Sequence, residues 1–438
     1  MLNKKIKLLA FILSVITIFG TLSGCGEKEK VDGDSGDKSQ NESKIEFLVN
    51  PEDYRGTTVT YATWKDPKAN EDGPVIEAFE KKYGINVEIQ LLDEGSYVNQ
   101  IAASIAGGTQ ADIFFNNGTF PGSLTVMQPL DAAKLNLEDP IWKQSTLEMS
   151  KLNGHPYLVD TVSNVWSEID ICVYNKKIFQ DNNITTPEEY YEAGKWTYAA
   201  FRECAKKVAS LGKDYVGAEV LKRVALASGG SSIFTYANDE FSYNVDSHLY
   251  DVMNFWSQMK EDGYLKTGYG GFNEGKTGLA LTNCFALKKT GYFPTINPDY
   301  IGATYLPRWD ENSEQPTTAI YRGWGLIKGA KNPVAAGIFL REYLDVNNYD
   351  LNNTFHSTEA ANFFFKVTGA QVDNMIYYHE GSLFQATGVG EDYADVWSNY
   401  SPSQIKGYLD GQLNVMENMK KKANDIIATE KKWLDENF

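Results

Sequence analysis

Cys25 is the first side chain with chemistry to explain, because it follows Ser23 and Gly24, small residues of the kind a peptidase cleft admits. A cysteine exposed there can receive a diacylglycerol on its thiol. The remaining cysteines, Cys172, Cys204 and Cys284, are odd in number and form no close pair, so neither a disulfide framework nor a CxxC metal site is expected. They read as buried free thiols. His155, His248, His356 and His379 are scattered, and none has a ligand at helical i, i+4 spacing. No metal site and no cofactor are therefore expected. A G-x-S-x-G elbow is absent, which leaves serine-hydrolase chemistry unsupported.

The segment before Cys25 has the three parts of a secretory signal. Lys4, Lys5 and Lys7 start it, Leu8 to Leu22 is almost wholly apolar, and small residues end it. The run falls short of the roughly 20 apolar residues of a membrane span. Its end resembles the bacterial lipobox, which implies residues 1–24 as signal peptide and Cys25 as the lipidated first residue. The protein is then expected on the extracytoplasmic face of the cell membrane, held by lipid alone. Residues 25–44 hold a single aliphatic side chain, Val31, and read as a flexible linker.

The whole chain has 438 residues and a formal charge of −17, and loss of three lysines with the signal makes the rest more acidic. Such a surface repels nucleic acid and anionic lipid, so neither is expected as a partner, and a neutral ligand fits better than an anion.

The elements alternate. Thr58 to Trp64 is a β-rich run, and Pro74 to Tyr83 is a helix with Val75, Ile76, Phe79 and Tyr83 on one face and Gly84 at its end. Ile85, Val87, Ile89 and Leu91 alternate as in a half-buried strand. Ser96 caps a second helix, Gly107-Gly108 stops it, and Asp112 to Phe115 is a short buried strand. This β-α-β-α-β order implies parallel strands joined by right-handed crossovers. Later come a strand over 169–174, a helix capped by Thr197, strands at 279–282 and 324–327, a helix from Pro333 and a charged helix at the C-terminus. The class is α/β. Ligands of such open sheets sit beyond the carboxyl ends of strands, near Trp64, 93–95 and 116–119.

Four segments in order then resemble the extracellular solute-binding proteins of ABC importers, in the carbohydrate-binding branch that includes maltose-binding protein. They are FEKKYGINVEIQ (79–90) followed by SIAGGTQADIFF (104–115); GHPYLVD (154–160) leading to VYNKKIF (173–179) and GKWTYAAFRECAKKV (194–208); FNEGKTGLALTN (272–283); and GWGLIKGAKNPVAAGIFLREYL (323–344). Ala111 stands where that family usually has proline. The resemblance implies a two-lobed periplasmic-binding-protein-like fold of type II character, with a hinge that closes the lobes on ligand. Lobe 1 is expected over 45–165 plus about 301–327, and lobe 2 over 166–300 plus about 328–438. Crossings between them are expected near Trp166, Ile301 and Lys328. Expected partners are ABC permease subunits with a separate ATPase, and the chain itself a monomer.

A neutral sugar offers hydroxyls and flat C–H patches, so its site needs aromatic faces and side chains that both donate and accept. Trp64, Asn116, Asn117 and Thr119 follow strands of the first lobe, and Trp324 lies in the Gly-Trp-Gly return strand. Trp166 and Glu168 open the segment that resembles the interlobe crossing, where the family often keeps a carboxylate. Asn283 and Phe285 follow a strand of the second lobe, and Trp397 lies in a C-terminal aromatic stretch. Trp324→Ala is expected to weaken binding with little change in melting temperature. The expected function is non-catalytic capture of a sugar or oligosaccharide. The alternatives are a receptor of the same fold for a peptide or polyamine, or a surface glycoside hydrolase, whose flanking carboxylate pair nothing in the sequence marks.

Overall fold

The computed structural model describes residues 47–162, 169–268, 270–369 and 375–438. The signal and linker, Cys25, Trp166 and Glu168 lie outside the described residues. In the first lobe, β1 (Thr58–Thr63), β2 (Asn86–Leu91) and β3 (Ile113–Asn117) form with β1 parallel to both neighbours. Helix α1 (Gly73–Tyr83) carries Pro74 in its first turn and buries Val75, Ile76, Phe79 and Tyr83. Gly84 ends it with φ +63°, a left-handed conformation that glycine adopts without strain. Helix α2 (Tyr97–Ala106) begins at Ser96, whose hydroxyl donates to Asp93 rather than capping the helix backbone. The short β4 (Met127–Gln128) completes the local run.

The second lobe is built on β5 (Asp170–Asn175), β6 (Val216–Val220), β7 (Leu265–Thr267), β8 (Thr277–Asn283) and β9 (Ile301–Thr304), in the spatial order β7-β6-β8-β5-β9. Every residue of β5 and β8 is buried, as central strands covered on both faces require. Helix α3 (Tyr198–Ala209) covers this sheet, and the Thr197 hydroxyl accepts from the Ala200 N–H at its start, as expected. The chain then returns to the first sheet as β10 (Arg322–Ile327), antiparallel to β3 and β4, giving the order β2-β1-β3-β10-β4.

Two expected boundaries shift. Residues 301–304 hydrogen-bond to β5 and so belong to the second sheet, because Gly302 lets the strand pack directly on the Tyr174 ring. Helix α4 (Pro333–Tyr343) packs on α1 and β1, with Phe339 5.1 Å from Phe79, so it belongs to the first lobe rather than the second. Leu91 is 58% exposed at the end of an edge strand, where alternation suggested half burial. The final helix α5 (Pro402–Asn437) touches the 247–261 helix of the second lobe and the 122–126 turn of the first. Among the described residues no helix is long and apolar enough to cross a membrane.

Candidate functional site

The carboxyl ends of β1 and β3 and the amino end of β10 meet at one edge of the first sheet, where ligand-binding crevices of open sheets form. A cleft there encloses about 820 Å³, including open solvent at its mouth. Trp64, Asn117, Arg322 and Trp324 border it from the first lobe, and Phe285 and Tyr292 from the second.

The floor is aromatic. Phe115 lies 5.6 Å from Trp64 and 4.4 Å from Trp324, centroid to centroid, and Trp64 meets Tyr97 edge-on at 5.3 Å. Trp64 is half-buried, so part of its ring reaches the cleft. Trp324 is only 2% exposed, and its indole N–H donates to the Tyr61 hydroxyl at 3.2 Å. Burial pushes the Tyr61 phenol far above its usual range and keeps it neutral. Trp324 is thus both core and floor, which corrects the expectation that it packs lightly. The Arg322 guanidinium sits over Phe115 at 5.2 Å.

The opposite wall is a tight turn after β8. Asn283 is buried; its Oδ1 accepts from the Phe285 N–H at 3.1 Å and its Nδ2 donates to the Tyr292 hydroxyl at 3.1 Å. It therefore shapes the wall from behind. Lys288 and Glu71 form an ion pair at 2.8 Å, and the Thr290 hydroxyl donates to the same carboxylate at 3.2 Å. Burial pushes the Glu71 carboxyl up, but the Lys288 charge and hydrogen bond outweigh it and hold the group below the usual carboxylate value.

Trp64, Asn117, Phe285 and Trp324 are brought together, and three other expected residues are placed elsewhere. Asn116 is fully buried, donating to Tyr321 O and accepting from Thr119 Oγ1, so it braces the turn. Thr119 borders a neighbouring cavity with Glu94, Tyr97 and Gln385. Trp397 is fully buried and donates to Lys222 O, 6.2 Å from Trp256; it is a core residue and not part of this cleft. Glu94 lies in the expected 93–95 segment, whereas Tyr61, Lys65, Asp72, Arg322 and Tyr292 also border the cleft without having been expected there. Arg322 was recoverable, since it lies two residues before Trp324 on one strand and so shares its face. Nothing in the spacing marks Tyr292. Among the described residues no cluster of His, Cys, Asp and Glu is arranged to hold a metal ion.

Two sheets of alternating connection flanking an aromatic cleft define a two-lobed α/β binding protein. The chain belongs to the bacterial extracellular solute-binding proteins, whose family model matches residues 57–345. It matches no curated protein sequence. Among solved structures it is similar to the galacto-N-biose/lacto-N-biose I-binding protein of the ABC transporter of Bifidobacterium longum in complex with lacto-N-biose, with a TM-score of 0.63 and 12% identity over 83% of this chain and 98% of that one. The sugar-binding protein MalE of Xanthomonas citri gives 0.60 and 13%, over 87% and 100%. An ABC substrate-binding protein of Listeria monocytogenes in complex with cycloalternan gives 0.56 and 18%, over 85% and 98%.

Proposed function

We propose that the protein captures a neutral sugar or oligosaccharide in the cleft between its lobes and passes it, chemically unchanged, to the permease subunits of an ABC importer driven by a separate ATPase. The observation that carries this reading is the half-buried Trp64 beside Asn117 and Arg322, facing Phe285 and Tyr292 across the cleft. An aromatic face suits sugar C–H patches, while an amide and a guanidinium suit hydroxyls. The glycans named in complex with similar structures support the same class. Lys65 and Arg322 are offset by Asp72 and Glu94 in the lining, so the cleft carries no net negative charge that would favour a polyamine. The lipid anchor at Cys25, the extracytoplasmic membrane face and the monomeric state belong to this proposal and rest on the sequence.

A thermal-shift and calorimetric screen against mono- and oligosaccharides tests it. A bound glycan should raise the melting temperature as RT ln(1 + [L]/Kd) and be recovered intact. New reducing ends in the mixture would instead identify a hydrolase, and tight binding of an oligopeptide with no response to any glycan would end the sugar reading.

A further inference from the structure

We propose that Glu71 is a positioning residue that fixes the second lobe's aromatic wall from the first lobe, so that the cleft is complete only while Glu71 is paired with Lys288. The inference rests on the cleft being the ligand site. Glu71 lies two residues before α1, between Asn70 and Asp72, which border the cleft. Lys288 lies in the turn after β8 that supplies Phe285 and Tyr292.

The Lys288 side chain has no exposed surface, and its ammonium makes a 2.8 Å ion pair with Glu71. A fully desolvated ammonium is sustained by a carboxylate at this distance and disfavoured without one. The same ammonium lies 5.3 Å from the Phe285 ring centroid, so the charge pair and the wall share one contact. Thr290 adds a second bond from the turn to the same carboxylate.

The turn itself is compact. The Lys288 N–H donates to Phe285 O at 3.1 Å and the Gly291 N–H to Lys288 O at 2.9 Å. A Cβ at Gly291 would fall 2.0 Å from Phe285 O, so no larger residue fits this fold of the turn. The turn is anchored by Asn283 and Asn273, by the His356 N–H to Leu287 O and the Lys289 N–H to Thr354 O, and from the first lobe by Glu71. Loss of the Glu71 charge removes the cross-cleft anchor while Asn283 stays in place.

The test compares wild type with Glu71→Gln and with the paired variant Glu71→Gln/Lys288→Met, which leaves no buried ammonium unpaired. Hydrogen exchange is followed first without added glycan. The amides of Lys288 and Gly291 should exchange at least tenfold faster in both variants, while those of Phe285, held by Asn283, and of β5 and β8 keep wild-type rates. Unchanged rates at the turn in the folded paired variant would overturn the proposal. Uniformly faster exchange would overturn it too, since the pair would then serve general stability alone. Lacto-N-biose, raffinose and maltotriose are then titrated. Any of them that binds wild type should show a Kd at least tenfold higher in the paired variant, and an unchanged Kd counts against the proposal. If wild type binds no glycan of the wider screen, the sugar reading fails, whereas the exchange experiment still decides the role of Glu71.

Discussion

Arg322 stands opposite Asn117 in the antiparallel register of β10 and β3, at the strand ends that border the cleft. The register fixes the pair, because Trp324 and Phe115 stand opposite each other two residues further in. A guanidinium with donors only and an amide that both donates and accepts thus lie side by side above an aromatic floor. Strand-end logic reaches Asn117 along β3 but points only to Trp324 on β10, so the pair shows only in the register.

Trp64 is the aromatic residue from which a loss of binding without a loss of fold is expected. It is half-buried, so truncation removes only part of a core contact. Trp64→Ala should raise the Kd for a bound glycan roughly 10- to 100-fold, about 1.4–2.8 kcal/mol. Its unfolding free energy should fall by about 2 kcal/mol or less. Calorimetry beside urea unfolding separates the two effects, and a Kd within twofold of wild type would remove Trp64 from the site.

Trp324 should behave differently. Its ring is buried against Phe115 and Tyr343, and its N–H is bonded to Tyr61. Trp324→Ala should cost about 3–5 kcal/mol of stability, the usual loss for a buried large aromatic. Urea unfolding at fixed pH measures this. A loss under 1 kcal/mol would mean that the ring contributes little to the core.

Much of the fold was legible because local signals agreed with global packing. Pro74 and Gly84 bracket α1, Thr197 caps α3, and the alternation of strand and helix specifies parallel pairing. The sheet to which each late element belongs was not legible. Ile301–Thr304 and Pro333–Tyr343 are ordinary apolar segments, and only the long-range partners Tyr174 and Phe79 decide their lobe. Strand-end logic found Trp64 and Asn117 because they directly follow or close strands. Trp397 follows no strand and has only its residue type to recommend it; it is fully buried core.

Glu430 ties the long C-terminal helix to the first lobe. Its carboxylate accepts from the Tyr157 hydroxyl at 2.9 Å and from the Lys328 ammonium at 2.6 Å, and its side chain is only 4% exposed. Glu430→Ala strands a partly buried ammonium and a buried phenol, so a loss of about 3–5 kcal/mol is expected. Glu430→Gln keeps an acceptor for Tyr157 and should lose less. Urea unfolding of both variants checks the order. Equal stability of Glu430→Ala and wild type would show that the ion pair contributes nothing.

Glu380 and His379 are neighbours with opposite effects on stability against pH. Glu380 is fully buried, and burial pushes it up from 4.5 to about 7, although the Ile233 and His379 N–H groups donate to it and favour its charged form. Between those two values the folded chain holds a proton that the unfolded chain has released, so stability falls as pH rises. Burial drives His379 the other way, from 6.5 to about 3. There the unfolded chain holds the extra proton, so stability falls as pH drops. In the shared window from 4.5 to 6.5 the two slopes, each about 1.4 kcal/mol per pH unit, oppose one another. Glu380→Gln keeps an acceptor for Ile233 and abolishes only the carboxyl titration, which leaves the histidine slope unopposed. Relative to wild type, the variant should lose about 2 kcal/mol between pH 6.5 and pH 4.5, read from urea unfolding at each pH. Groups that do not interact with Glu380 are common to both proteins and cancel in the difference; Asp392, whose charge also raises Glu380, is not among them. Parallel stability curves across that window would mean that Glu380 does not hold its proton in the folded protein.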